Sequence, residues 1–169
     1  MHTLHLLRHA KSDRDEGVDD RERRLARRGR DEARRVGKSL VAAIGPLDLV
    51  LCSPSVRTRD TAALVLAGFA PPPPIRYDDE LYLARSAMLL RVLRRLDEAV
   101  AAVLLIGHNP GLHELATALA APDSPRYAAL AGGKFPTLAR ASLTIAGSWD
   151  SLDRTRHPLA DYVTPKSLR

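Results

Sequence analysis

The chain has 169 residues, of which 45% are apolar and 27% charged, so it can bury a core without metals and is too apolar for wholesale disorder. Its single cysteine, Cys52, excludes an intramolecular disulfide and a cysteine-based zinc cluster. The net charge of +6 favours an acidic partner but does not choose among nucleic acid, phosphoprotein and small phosphates.

Strand and helix signals alternate from residue 3 to about residue 120. The stretch "LHLLRHAKSD" begins as a leucine-rich strand and stops at Arg8 and His9. Apolar residues at three- and four-residue spacing then predict a helix that ends near Gly45, and "LDLVLCS" predicts a second buried strand. The residues that carry this spacing are Ala33, Val36, Leu40, Val41 and Ile44.

The next helix is predicted to begin at Ser53 and Pro54, because serine is a good N-cap and proline suits the first helical position. A third helix is predicted in "SAMLLRVLRRLDEA", and "AAVLLIG" is a continuous apolar strand. In the following "HNPGLHELATALA", Asn109 and Pro110 repeat the cap-then-proline signal. "RASLTIAG" adds a late strand, expected at a different place or direction in the sheet.

This alternation predicts the α/β class, as a three-layer α/β/α sandwich with a mostly parallel central sheet covered on both faces. Residues 20–35 carry much of the positive charge, but acidic residues are interleaved with the arginines. Mixed signs at helical spacing are typical of a solvated face, so we do not expect nucleic acid as the partner.

Three clusters of polar residues follow predicted strand ends. They are Arg8-His9, the segment from Ser53 to Arg57, and Gly107-His108-Asn109. Ligands of open α/β sheets bind at the carboxyl ends of strands, where helix N-termini also present free N–H groups to anions. Two arginines, two histidines and two helix N-termini would then meet in one place, which is a set suited to phosphate.

The chemistry of these side chains suits phosphoryl transfer. The planar fork of arginine matches phosphoryl oxygens and stays charged. Positive neighbours disfavour protonation of a histidine, which leaves a neutral imidazole that can attack phosphorus. A second histidine can donate a hydrogen bond to the phosphoryl oxygens.

The motifs "LLRHAKSD", "CSPSVRTRDTA" and "LLIGHNPGLHELA" resemble the three signatures of the histidine phosphatase superfamily, also called phosphoglycerate mutase-like. The usual first motif is Arg-His-Gly, and Ala10 in place of the glycine is similar to the SixA-like phosphohistidine phosphatase branch. The segments "KFPTLARASLTIAGSWDSL" and "LADYVTPKSLR" also resemble bacterial members of that branch, so the likeness spans nearly the whole chain.

The resemblance implies that His9 is the nucleophile and that Arg8, Arg57 and His108 surround the phosphoryl group, with no metal or other cofactor. It also implies that Ser53 is a helix cap and a wall of the phosphate pocket. Asn109 is expected to cap its helix.

Three further positions stay open. Lys11 and Ser12 either contact the substrate phosphate or belong to an exposed loop. Many relatives place an acid after the third strand to protonate the leaving oxygen, and Glu80 matches that region best. Surface charge is the alternative reading of Glu80, and the SixA-like branch often has no clear acid. The remaining histidines are expected to be packed or exposed residues without a catalytic role: His2, His5, His113 and His157.

The predicted function is hydrolysis of phosphohistidine on a protein through a phosphohistidine intermediate, with inorganic phosphate as product. The short segments between motifs leave few residues for a lid over a small metabolite. Two alternatives are a phosphatase of small phosphate esters and a non-catalytic protein that binds anions or nucleic acid. No export or membrane signal is present, so we expect one cytoplasmic domain over residues 1–169 with no membrane partner.

Overall fold

The computed structural model describes residues 1–154 and 156–168. Its strands are β1 (His2–Arg8), β2 (Leu49–Cys52), β3 (Ile75–Tyr77), β4 (Ala102–Gly107), β5 (Arg140–Ile145) and β6 (Leu159–Val163). Its α-helices are α1 (Arg27–Ile44), α2 (Val56–Val65), α3 (Ser86–Arg94), α4 (Gly111–Leu119) and α5 (Tyr127–Gly132). Arg169, the last residue of the resembling C-terminal segment, lies outside the described residues.

The six strands form one sheet in the order β3-β2-β4-β1-β5-β6. Neighbours among β1 to β4 are parallel, whereas β5 runs antiparallel to β1 and β6 antiparallel to β5. The predicted α/β class with a mostly parallel sheet is therefore confirmed, and so is the different direction of the late strand. The short edge strands β3 and β6 and the helix α5 were not predicted.

Successive side chains of the central strands point to opposite faces of the sheet, which gives two cores. Leu4 and Leu6 of β1 pack in one core with apolar residues of α3 and α4. Leu7 packs on the other face with residues of α1 and α2. The helices thus cover both faces, because the central strands β2 and β4 carry apolar side chains on both sides.

One helix boundary and the exposure of one side chain differ from what the sequence pattern suggested. Helix α1 ends before Gly45 as predicted, where a positive φ of 70° suits glycine. Val41, one of the residues that carry the apolar spacing, is 38% exposed, because the buried stripe of α1 runs through Val36, Gly37 and Leu40. Helix α3 ends at Arg94, earlier than its apolar pattern suggested, although Leu96 in the following turn is buried.

None of the helices in residues 1–154 and 156–168 combines the length and apolar character that crossing a membrane requires.

Candidate active site

The three polar clusters meet at one edge of the sheet. His9 follows β1, Ser53 follows β2 and His108 follows β4, and these three strands lie side by side and parallel. Their carboxyl ends border a pocket of about 210 Å³. The lining residues are Arg8, His9, Lys11, Ser12, Arg14, Asp20, Arg23, Arg57, Leu83, His108, Asn109 and Thr137.

The His9 ring is held by its own loop. Nδ1 of His9 lies 2.7 Å from the carbonyl oxygen of Ala10. A carbonyl oxygen can only accept, so Nδ1 carries the hydrogen and Nε2 of the neutral ring keeps its lone pair. The loop itself is fixed by hydrogen bonds from the His9 N–H to the Gly107 carbonyl oxygen and from the Ala10 N–H to Thr61 Oγ1. The sequence therefore folds locally so that one defined nitrogen is free.

Both pocket histidines are neutral near pH 7. Burial, assisted by the neighbouring His108, Arg8 and Arg57, lowers the pKa of His9 to about 3, although the hydrogen bond to Ala10 opposes the shift. Burial and the charge of Arg57 likewise lower the pKa of His108 to about 3. The sequence prediction named the positive neighbours, and the structure adds burial as the larger cause.

His108 is oriented by Ser53 and Arg57. Its Nε2 lies 2.7 Å from Ser53 Oγ, and its Nδ1 lies 3.4 Å from an amino nitrogen of Arg57. The rings of His108 and His9 are 5.4 Å apart between centroids. Ser53 is fully buried and is not among the residues that line the pocket. The Ser53 side chain therefore contacts His108. It is neither the pocket wall nor the helix cap that the sequence predicted.

The cap of α2 is Ser55. The helix begins two residues later than predicted, so Ser55 has the extended backbone of an N-cap, and its side chain accepts a hydrogen bond from the Thr58 N–H.

The predicted cap of α4 is also wrong. Asn109 donates from Nδ2 to the Phe135 carbonyl oxygen at 2.7 Å, and the N-cap position is Pro110, which has no side-chain hydrogen bond.

Arg57 is held by a carboxylate that sequence reasoning missed. The Arg57 side chain is 2% exposed and donates to the Asp20 carbonyl oxygen at 2.7 Å and to Asp20 Oδ2 at 3.0 Å. The Tyr82 hydroxyl donates to the same carboxylate oxygen. Burial acts in the opposite direction, but the hydrogen bonds from Tyr82 and Arg57 lower the pKa of Asp20 to about 2. Asp20 is therefore an ionised partner that orients the guanidinium.

Arg8 completes the positive lining of the pocket. It donates to the Phe135 carbonyl oxygen at 3.2 Å. Arg8 and Arg57 line the same pocket, and burial together with the charge of Arg57 lowers the pKa of Arg8. Within the described residues, the buried Nε atoms of Arg8 and Arg57 have no hydrogen-bond partner. Concentrated positive charge and free donors suit an anion with several oxygens.

The positions left open by the sequence are now placed. Lys11 and Ser12 both line the pocket, and Ser12 Oγ accepts a hydrogen bond from Arg23 at 2.7 Å. Glu80 is not among the lining residues. Its carboxylate is exposed and lies 2.7 Å from an amino nitrogen of Arg95. The structure therefore brings together every predicted site residue except Glu80, and Ser53 lies behind His108.

Comparisons with known proteins identify the family. The model described as histidine phosphatase superfamily (branch 1) matches residues 4–82. A crystal structure from Agrobacterium tumefaciens that carries the name phosphohistidine phosphatase SixA is 30% identical, with a TM-score of 0.81 over 97% of this chain and 98% of that chain. The chain belongs to the histidine phosphatase superfamily.

Two further relatives extend the likeness over the whole chain. An uncharacterized protein of Mycobacterium tuberculosis is 36% identical over 163 residues, which are 95% of this chain and 100% of the relative. A protein histidine phosphatase SixA, solved in complex with tungstate, is 26% identical, with a TM-score of 0.78 over 99% of both chains. This histidine phosphatase is therefore SixA-like, as its motifs suggested.

We expect the substitution Glu80→Gln to leave this histidine phosphatase unchanged, with kcat/KM on phosphohistidine and on alkyl phosphates within about 2-fold of wild type. The Glu80 carboxylate pairs with Arg95 outside the pocket and has no route to a leaving oxygen in this arrangement. Steady-state kinetics on both substrates measures the effect. A true general acid would instead lose about 10²-fold or more on alkyl phosphates alone, and that result would restore Glu80 to the site.

We also expect the rings of His9 and His108 to stay neutral at pH 5, because their pKa values are lowered to about 3. A histidine with the ordinary pKa of about 6.5 would be almost fully charged at that pH. Long-range ¹H–¹⁵N spectra of the histidine rings measure both the charge and the tautomer, and His9 should show hydrogen on Nδ1. Titration of either ring between pH 6 and 7 would contradict the pocket electrostatics.

The same pKa shifts set the sign of the stability change with pH. The folded pKa lies below the unfolded one, so the unfolded chain binds protons that the folded chain excludes. The free energy of unfolding should therefore decrease as pH falls from about 6.5 towards 3, by roughly 1.4 kcal/mol per pH unit for each such histidine.

Proposed function

We propose that this chain removes the phosphoryl group from phosphohistidine on a protein, through a covalent intermediate on His9. The observation that carries this proposal is the state of the His9 ring. The ring is neutral, and its Nδ1 donates to the Ala10 carbonyl oxygen, so Nε2 keeps its lone pair. The ring lines the same pocket as the guanidinium groups of Arg8 and Arg57. A neutral imidazole with one free lone pair is the form that can act as a nucleophile.

The reaction proceeds in two displacements. In the first, Nε2 of His9 forms a bond to phosphorus while the bond from phosphorus to the substrate imidazole breaks. The other nitrogen of the substrate ring already carries a proton, so the electron pair of the broken bond returns to the ring and it leaves as a neutral imidazole. In the second, water attacks phosphorus, the bond to Nε2 breaks and inorganic phosphate is released. In both steps Arg8 and Arg57 stabilise the negative charge on the three equatorial oxygens.

The tautomer of His108 follows from its two neighbours. An Arg57 nitrogen can only donate, so Nδ1 of the neutral His108 ring accepts from it, and Nε2 carries the hydrogen and donates to Ser53 Oγ. His108 therefore helps to hold the Arg57 guanidinium beside the pocket that receives the phosphoryl group. The Asp20 carboxylate holds the Arg57 fork before substrate binds, which limits the reorganisation that the reaction requires.

The choice of phosphohistidine over a phosphate ester rests on the leaving group and on the relatives. An imidazole departs readily once protonated, whereas an alkoxide needs an acid in the pocket, and Glu80 does not line it. The SixA relative binds tungstate, a tetrahedral oxyanion with the shape of phosphate. Two of the relatives compared above carry phosphatase names that include histidine.

The proposal is tested by assaying purified protein on a phosphohistidine-bearing protein and on a panel of alkyl and aryl phosphate esters in parallel. We expect kcat/KM on the phosphohistidine protein to exceed that on every alkyl ester by at least about 10²-fold, the scale of the missing acid. A higher kcat/KM on an alkyl ester would overturn the phosphohistidine assignment and identify a small-ester phosphatase. Salt-sensitive polyanion binding without any turnover would instead favour the non-catalytic alternative.

No metal has a role in the proposed reaction, because guanidinium groups supply the positive charge that Mg²⁺ supplies in kinases. We expect an excess of EDTA to leave turnover within about 2-fold of the untreated rate. Vanadate, which adopts the five-coordinate geometry of the transition state, should inhibit. Loss of activity on chelation, with recovery on adding one specific divalent ion, would contradict the assignment of charge stabilisation to Arg8 and Arg57.

We further propose that residues 1–169 act as one cytoplasmic domain. Support for one domain comes from the sheet, in which strands from both ends of the chain are neighbours. Support for a reducing compartment comes from the single cysteine, which is buried and free.

A further inference from the structure

A second cleft adjoins the pocket that contains His9. It measures about 520 Å³ and shares Arg8, Lys11, Asn109 and Thr137 with that pocket. Its other lining residues are Arg28, His113, Gly133, Lys134, Phe135 and Pro136. A molecule whose phosphoryl group reaches His9 can therefore extend directly into this cleft.

The cleft is positively charged and its cations are free. Lys11, Arg28 and Lys134 are exposed, and no hydrogen bond or ion pair engages their side chains within residues 1–154 and 156–168. The lining residues include neither aspartate nor glutamate. The positive charges of these three side chains are therefore available to an anionic partner.

The position of Lys11 is set by close packing. The Lys11 carbonyl oxygen accepts a hydrogen bond from the Ala26 N–H, and a Cβ on Gly29 of α1 would lie 2.1 Å from that oxygen. Only glycine allows α1 to approach the Lys11 loop so closely. This contact brings the N-terminal turn of α1, with Arg28, against the loop that carries Lys11.

We propose that this cleft binds an acidic segment of the protein that bears the phosphohistidine. The inference rests on the proposed function, since it places the rest of the substrate beside the reacting group. Carboxylates complement the three cations. A single-stranded nucleic acid would also need exposed rings for base stacking, and Phe135 in this lining is only 1% exposed. The chemistry of the lining thus favours a carboxylate-rich protein surface.

The kinetic test uses the double substitution Arg28→Glu with Lys134→Glu, which leaves the His9 pocket intact. We expect kcat/KM on a phosphohistidine protein with acidic residues around its histidine to fall by at least about 10-fold, mainly through KM. Turnover of the small substrate phosphoramidate should stay within about 2-fold of wild type. The matched control is Arg76→Glu, an exposed charge reversal on the outer strand β3 that lines neither the pocket nor the cleft, and it should leave turnover of both substrates unchanged. Equal losses on both substrates, or no loss, would overturn the proposal.

A binding measurement separates this proposal from the proposed function. His9→Ala protein is titrated with fluorescent octaglutamate, with octaglutamine as the neutral control, and binding should be lost in the variant that also carries Arg28→Glu and Lys134→Glu. If octaglutamate binding is lost with these two substitutions but wild type does not hydrolyse phosphohistidine, the proposed function is wrong and the proposed acidic-segment site is supported. If phosphohistidine is hydrolysed but octaglutamate does not bind, the cleft fails alone. Tighter binding of a single-stranded oligonucleotide at the same residues would overturn the acidic-protein assignment.

Discussion

The substitution His9→Ala is expected to lower kcat by about 10⁴-fold or more, the scale observed when a covalent nucleophile is removed from an enzyme. Among the residues that line the pocket, His9 is the one whose neutral ring donates from Nδ1 to a carbonyl oxygen and keeps the lone pair of Nε2 free for attack on phosphorus. The rate is measured with a phosphohistidine protein, corrected for the spontaneous hydrolysis of its P–N bond. Brief incubation of wild type with labelled substrate should also trap phosphate that is acid-labile and base-stable.

The matched control for His9→Ala is His157→Ala. His157 is a half-buried histidine that does not line the pocket, and its replacement should leave both turnover and trapping unchanged. Two results would contradict the nucleophile assignment. One is label on Ser53 in wild type, and the other is turnover by His9→Ala above the spontaneous rate.

The substitution Arg57→Lys should lower kcat by about 10²- to 10³-fold, the scale for loss of one preorganised donor to a developing negative charge. Lysine keeps the charge but has no planar fork, so it cannot hold Asp20 through two nitrogens and also face the phosphoryl group. KM should change much less than kcat, because the lost contact strengthens in the transition state. Steady-state kinetics on protein shown to be folded by circular dichroism measures the split.

The control for Arg57→Lys lies two residues further along α2. Arg59 is exposed, stacks over the ring of Tyr77 at 4.0 Å and donates to the Pro54 carbonyl oxygen. Arg59→Lys makes the same chemical change outside the pocket, so its kcat should remain within about 2-fold of wild type. A similar loss in both variants would show that the decrease comes from α2 as a whole and not from the guanidinium at the pocket. A change confined to KM would reduce Arg57 to a ground-state binding residue.

The pocket shows which parts of the site follow from local sequence patterns. The apolar runs before His9 and His108 predict buried strands, and parallel buried strands present their carboxyl ends at one edge. The convergence of the three motifs was therefore predictable without coordinates. The residue types at those strand ends then indicated phosphate chemistry, since arginine and histidine have donors and a nucleophile that suit phosphorus.

The network around Arg57 depended on tertiary structure. Asp20 is 37 residues from Arg57 in the chain, and Tyr82 is 62 residues from Asp20. Asp20 also lies in a segment of mixed charges, which by itself is typical of a solvated face. No spacing rule relates these positions, so only the packing of the chain could show that they share a hydrogen-bond network.

The sequence by itself determined the fold class, the order of the main elements and the residues that meet at the strand ends, because hydrophobic periodicity and motif identity are local properties. Only the tertiary structure decided that Ser55 caps α2 while Ser53 binds His108, and that Glu80 pairs with Arg95 outside the pocket. Those outcomes depend on which atoms from distant segments come within hydrogen-bond distance and how deeply they are buried. Burial also lowers the pKa of His9, and it is a property of the packed molecule that no stretch of sequence contains.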